Sequence, residues 1–368
     1  MLLRKMSWAD QRIMQDKKLK IGFVLNTLGL TGGVKVVFEY ASRLQNRGHE
    51  VYIVHLLKIK PGTKGTLVAL LKKLKYIMLG LFGKDKVDWF DLGQVKIKRL
   101  YSLNCLPKFD AIIATANETA DYVAKLKNRQ LQKFYFIQDY ENWTRDAKLV
   151  DTTYKLPLRK IVISSWLKNL LKDKFKEEAE EVITNGVDFE RYSLPQKKFN
   201  KSKKILMLYH VLPKKGLSYG LEAFKQVQKK FPDTTLTLFG VYKPIEELPL
   251  NTNFIFNPSR DTLTNLYKES DIFISPSLQE GCQLPPMEAM AAQCAVIATN
   301  VGGIPDYAVP DKTAIVVPPK DSDSIAKALI ELLADEEKLK TIARNGYEHI
   351  KSFSWDKATD KFESLIRS

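Results

Sequence analysis

Residues 275–292 read SPSLQEGCQLPPMEAMAA, and this stretch decides the fold. The run before it, DIFIS at 271–275, is apolar and β-prone. Residues 287–292 are rich in strong helix formers and start just after Pro285 and Pro286, a residue type that a first helical turn tolerates. The spacing predicts strand, loop, helix. At such a junction, loop N–H groups and the positive end of a helix dipole point at whatever sits above, which suits an anion such as a diphosphate. Glu280 in the loop and Glu288 in the first helical turn, with seven residues between them, do not suit an anion. Both demands are met if the loop Gly281-Cys282-Gln283-Leu284 holds phosphates through its backbone while the two carboxylates accept hydrogen bonds from neutral hydroxyls. A nucleotide sugar has phosphates in its middle and hydroxyls at both ends.

Working outward, 19–26 (LKIGFVLN), 49–55, 109–115 and 133–138 read as strands towards the N-terminus. Strands at 205–209, 234–240, 253–256 and 294–299 surround the opening stretch. Gly29, Gly32 and Gly33 follow the first strand and allow close backbone approach to a ligand, but they match neither the Walker pattern nor G-x-G-x-x-G. In an open α/β sheet ligands collect at the carboxyl ends of strands, so Asn117, Glu118, Asp139, Tyr140 and Glu141 are candidate acceptor-side groups. Asp139 fits a turn or helix start equally well.

The chain of 368 residues is about two domains long, and its 45% hydrophobic content is ample for two cores. The balance of 58 Lys+Arg against 42 Asp+Glu, net +16, favours an anionic partner. The chain has no RNA-binding aromatic signature, zinc-finger spacing or basic-region heptad, so nucleic acid is set aside. Cys105, Cys282 and Cys294 are odd in number and show no C-x-x-C spacing, which points to free thiols in a reducing compartment. The first residues carry no apolar signal region, and there is no uncharged apolar run of eighteen, so a cytoplasmic location, or one on the inner face of the membrane, is expected.

The motif E-G-x-x-L-P-P-x-E-A-M-A at 280–291 resembles the E-x7-E signature of retaining glycosyltransferases of family 4. The resemblance implies a GT-B fold, α/β, with two Rossmann-like doubly wound domains facing a central cleft. The N-terminal acceptor-binding domain would cover 1–195 and the C-terminal nucleotide-sugar-binding domain 196–354, with a terminal helix, 355–368, packing back on the first. The basic run 195–204 reads as the linker. By the same resemblance Glu280 contacts the donor sugar, Glu288 the ribose, and Gly32-Gly33 flank the donor phosphates. The loop from Asn257 to Asp261 borders the base. His210-Val-Leu-Pro-Lys-Lys-Gly is similar to the family's G-R-x-x-x-x-K-G, so Lys215 matches the phosphate-neutralising Lys while His210 replaces its Arg. The family's N-domain His is missing, and Gln138-Asp139 is the nearest equivalent. The expected catalytic set is therefore Glu280, Lys215 and Asp139, with no cofactor and no metal; Asp321-Ser-Asp323 reads as a helix cap. The donor would be a nucleotide sugar and the acceptor a glycan or lipid-linked molecule, in cell-surface polysaccharide assembly. The alternatives are a nucleotide-sugar epimerase or hydrolase and a non-catalytic nucleotide-sugar binder.

One further segment stands out. As a helix, 67–82 places Leu67, Leu70, Leu71, Leu74, Ile77, Met78, Leu81 and Phe82 on one face with Lys72, Lys73 and Lys75 off it, a pattern suited to an anionic membrane surface or to packing on a sheet.

Overall fold

The computed structural model describes residues 17–57, 87–100, 106–201, 203–245 and 247–368. They form two compact units: the described residues of Met1–Val162, Leu171–Glu181 and Thr359–Ser368 make the first, Ile163–Leu170 and Val182–Ala358 the second. The segment 67–82 and Cys105 lie outside the described residues.

In the first unit the chain runs β1 (Lys20–Leu25), α1 (Gly32–Asn46), β2 (Glu50–Leu56), β3 (Lys96–Leu100), β4 (Ala111–Ala114), α2 (Asn117–Ala124), β5 (Gln132–Ile137), α3 (Ala147–Tyr154), β6 (Arg159–Val162) and β7 (Glu181–Val182). The sheet order is β3-β2-β1-β4-β5-β6-β7. β1 pairs in parallel with both β2 and β4, so the strand order reverses between β1 and β4. Parallel strands covered on both faces read as unbroken apolar runs, and Ile21 to Leu25 is buried throughout. Phe23, Tyr40, Phe136 and Phe362 meet ring to ring, the closest pair at 4.7 Å between centroids. Phe362 belongs to the C-terminal helix Trp355–Arg367, whose residues from Thr359 onward are part of this unit.

Polar contacts also hold that helix end. His49, 1% exposed, accepts the Leu19 N–H on Nδ1 at 3.1 Å and meets Glu363 Oε1 through Nε2 at 3.0 Å. Burial pushes the imidazole below its usual value, more strongly than Glu363 raises it. Burial alone would raise Glu363, but hydrogen bonds from Arg47, Arg367 and His49 outweigh it and bring the carboxyl down to about 2.

The second unit contains α4 (Ser165–Leu170), α5 (Phe189–Tyr192), β8 (Lys204–Leu208), α6 (Leu217–Gln228), β9 (Thr235–Gly240), β10 (Thr252–Phe256), α7 (Arg260–Glu269), β11 (Ile272–Ser275), α8 (Leu284–Ala291), β12 (Ala295–Thr299), α9 (Ile304–Tyr307), β13 (Ile315–Val317), α10 (Ser322–Ala334) and α11 (Glu336–Ile350). Its sheet runs β10-β9-β8-β11-β12-β13, reversing between β8 and β11. Ile205 and Met207 of β8, Phe224 of α6, Ile297 of β12 and Leu329 of α10 meet in its core. Two Rossmann-like, doubly wound units are thus observed.

Several local expectations change. The basic run 195–204 lies within the second unit rather than as a solvated linker. The Lys197 ammonium is buried against the carbonyls of Lys268 at 2.8 Å, Ser270 at 2.6 Å and Ala292 at 3.2 Å, at the carboxyl ends of α7 and α8. A cation there complements the negative ends of two helix dipoles. The compact units divide just after Glu181, ahead of the expected boundary at 195. Asp321 accepts the Ser324 N–H at 2.9 Å, which is the helix-cap role read from the sequence.

Candidate active site

The switch point of the second sheet, between β8 and β11, is where an open α/β sheet leaves a crevice at its strand ends. Two loops meet there. After β8 the chain makes a short 3₁₀ turn, Pro213–Lys215, closed by Gly216 in the left-handed region at φ 65°. After β11 it runs through Pro276 to Gln283 into α8. The loops are tied by the Leu278 N–H donating to Lys214 O at 2.7 Å. A Cβ on Gly216 would fall 1.9 Å from Pro276 O, so only glycine allows this approach. Gly302, at φ 55° in the loop after β12, stands equally close to Glu280 O from the other side, at 1.8 Å for a Cβ.

This clamping brings Lys215 Nζ to Glu280 Oε1 at 2.5 Å, where Ser277 Oγ also donates at 2.9 Å. Glu280 is 7% exposed, and among the described residues both bonds fall on its Oε1. Ser277 was not among the candidates read from the sequence, although it lies in the stretch that carries them. Gln283 accepts a hydrogen bond from Ser275 Oγ and its Nε2 is buried without a partner among the described residues. Cys282 is a free thiol that burial pushes up to about 12, so it is not a nucleophile near neutral pH.

α8 begins at Leu284, not at Met287. Pro285 and Pro286 therefore occupy its second and third positions and contribute no N–H, and Glu288 falls in the second turn rather than the first. Anion donors are correspondingly fewer at this helix end. α6 starts directly after Lys215-Gly216 without a proline and offers a second positive helix end. Glu288 is 5% exposed and faces the phenols of Tyr192 and Tyr267, both raised well above their usual value by burial first and by this carboxylate second. No sequence signal links three residues so far apart.

His210 does not replace the charge of an arginine in this structure. Its Nδ1 accepts the Leu212 N–H at 3.0 Å, and burial, followed by the nearby Lys215, lowers the imidazole to about 4. It is neutral at physiological pH and packs edge-on against Tyr242 at 5.0 Å. Asn257 is exposed in a left-handed conformation at φ 44°, with its N–H on Gly240 O at 2.7 Å.

Gly32, Gly33 and Asp139 belong to the first unit. Gly32 and Gly33 open α1, and Gly33 lies against the Gln138 side chain. Asp139 accepts the Tyr140 N–H on Oδ1 at 2.8 Å, a local turn contact. No group of three or more acidic, His or Cys side chains among the described residues is arranged to hold a metal ion.

Residues 188–349 match the family model of glycosyl transferases group 1. An uncharacterized glycosyltransferase of Methanocaldococcus jannaschii is 29% identical over 54% of this chain and 56% of its own length. A lipopolysaccharide 1,2-N-acetylglucosaminetransferase of Salmonella typhimurium is 26% identical over 56% and 61%. The chain thus spans little more than half the length of these two curated relatives. Among solved structures, Anabaena HepE in complex with UDP and glucose superposes with a TM-score of 0.71 at 16% identity, over 95% of this chain and 99% of that one. The family model covers the second unit only, and the solved neighbours show the GT-B fold.

Proposed function

We propose that the protein transfers a sugar from a nucleoside diphosphate sugar to a hydroxyl of a glycan or lipid-linked acceptor, with retention of anomeric configuration and without a metal. The observation that carries this reading is the Lys215–Glu280 pair held at the strand-order reversal of the second unit. Lys215 and the positive end of α6 neutralise the departing diphosphate, the charge that develops in the transition state. Glu280 Oε2 accepts from a donor-sugar hydroxyl while Ser277 keeps Oε1 oriented. Glu288 serves the ribose, accepting from its hydroxyls when the donor enters. The neutral His210 favours one second reading, a nucleotide-sugar binder that turns over poorly.

Incubation with a panel of nucleotide sugars, first alone and then with lipid-extract acceptors, tests both. Release of nucleoside diphosphate that depends on acceptor, with an unchanged anomeric configuration in the product, supports transfer. Binding without release supports the second reading. The relative of Salmonella typhimurium acts on lipopolysaccharide by its name, and this chain is proposed to work likewise in cell-surface glycan assembly, at the cytoplasmic face of the membrane. Among the described residues no helix is long and apolar enough to cross a membrane. Attachment is proposed to run through the basic, amphipathic segment 67–82, where each Lys near anionic lipid adds about 1 kcal/mol. Sedimentation with phosphatidylserine vesicles that weakens when Lys72, Lys73 and Lys75 become Glu, with folding intact, supports this; no sedimentation at low salt refutes it.

A further inference from the structure

A strand that ends a sheet shows a row of main-chain N–H and C=O groups, and proteins guard such rows with charge, proline or shortness. The two sheets end in β3, β7, β10 and β13. β7 has two residues and β13 three, too short to template pairing. β3 has five, KIKRL, and its Lys96, Lys98 and Arg99 repel a second strand of the same kind. β10 is as long, TNFIF, and carries no charge. On a chain of net charge +16 this leaves β10 as the long, unguarded edge among the described residues.

The register fixes which groups that edge offers. Asn251 O accepts the Leu236 N–H at 3.0 Å and the Asn257 N–H donates to Gly240 O at 2.7 Å, so these two residues face β9. Main-chain groups alternate along a strand, so Asn253 and Ile255 face β9 as well, and the N–H and C=O groups of Thr252, Phe254 and Phe256 face away from the sheet. Exposed apolar side chains flank this row. Ile245 and Leu250, in the connection from β9, are 86% and 83% exposed, the highest values among the described large hydrophobic residues, and Phe256 at the far end of β10 is 51% exposed. The Ile245 N–H donates to Tyr209 Oη at 3.2 Å and the Tyr209 ring meets Phe254 at 5.4 Å, which holds the connection beside the strand. A partner that fits must bring both an apolar face and a hydrogen-bonding backbone. A lipid surface brings the first without the second.

We propose that β10 is a self-association surface, on which two copies pair antiparallel about a two-fold axis through Phe254 and join their second sheets. This pairing sets Thr252 against Phe256 of the second copy, Phe254 against its own equivalent and Asn253 against Ile255, so no like charges meet along the ladder although each chain is strongly basic. The surface uses no residue of the Lys215–Glu280 site, and the proposal does not depend on the transferase reading.

Sedimentation velocity of the full chain tests it between about 2 and about 200 µM, the range suited to a small, weak interface. The average mass should rise from monomer towards dimer. Phe256→Lys and Leu250→Lys, which copy the charged guard of β3, should each weaken association about tenfold, while Leu149→Lys, at an exposed leucine of the first unit, should leave it unchanged. Circular dichroism verifies that each variant is folded. Asn253 and Ile255 of the second copy would form a non-hydrogen-bonded pair with Cα atoms about 4.5 Å apart, within disulfide reach, so a variant combining Asn253→Cys with Ile255→Cys should give a disulfide-linked dimer on oxidation. Monomers throughout the range, equal weakening by Leu149→Lys, or a double variant that stays unlinked would overturn the proposal. Monomers whose binding to phosphatidylserine vesicles is lost in Phe256→Lys would assign the edge to a lipid surface instead.

Discussion

Substituting Gly302 by Ala is the sharpest probe of how the Glu280 loop is held. The added methyl would sit 1.8 Å from Glu280 O, and ordinary contact begins near 3.4 Å, so the peptide after Glu280 must retreat by about 1.6 Å. The obstacle is backbone, not the end of a flexible side chain. The left-handed φ of 55° adds ~1–2 kcal/mol for any residue with a Cβ, and overpacking adds ~1–3 kcal/mol if the loop resists. Should the loop yield instead, Glu280 and its contact to Lys215 are displaced by over an ångström, a misplacement that costs roughly 100-fold in turnover. Gly48→Ala is the matched control: its φ is 92°, but a Cβ there meets no heavy atom within 4 Å, so only the ~1–2 kcal/mol backbone cost applies. Urea unfolding and nucleoside diphosphate release from a donor sugar would be measured on both. Gly302→Ala should lose either at least 1 kcal/mol more than Gly48→Ala or about 100-fold in turnover. If both variants unfold alike and turn over at the parental rate, the clamp has no role.

Lys197→Met removes the ammonium from a set of buried helix-end carbonyls, and urea unfolding should register a loss of about 3 kcal/mol; a loss under 1 kcal/mol would show that water replaces it. His49 has a folded-state pKa below its usual 6.5, so its contribution to stability is present above that value and lost as pH falls through it. Thermal unfolding should therefore show falling stability from pH 7 to pH 5, with a smaller slope in His49→Gln, and identical slopes would contradict the assignment. With His210 lowered to about 4, UDP affinity should owe no pH dependence to it between pH 6 and pH 9, and His210→Arg should tighten UDP about tenfold by adding a charge-assisted contact. No gain in calorimetry would place this side chain away from the diphosphate.

The central strands were legible because parallel strands covered on both faces must be apolar from end to end, as in 21–25 and 272–274. β3, KIKRL, escaped because an edge strand half open to solvent carries no such signal, and β13 because three residues make too short a pattern. The start of α8 was misplaced by three residues, since prolines mark a first turn without saying which of its positions they occupy.

The sequence alone determined the two-unit α/β architecture and marked the candidate residues around 280–288, because apolar periodicity and residue type act locally along the chain. Only the tertiary structure decided their state. It set Lys215 against Glu280, which are 65 positions apart, turned Glu288 towards Tyr192 and Tyr267, and left His210 neutral. It also turned an apparent linker lysine into a buried helix-end cation. Each of these depends on which strand ends the sheet order brings together and on how far burial removes water from them, and neither quantity is written in any short stretch of residues.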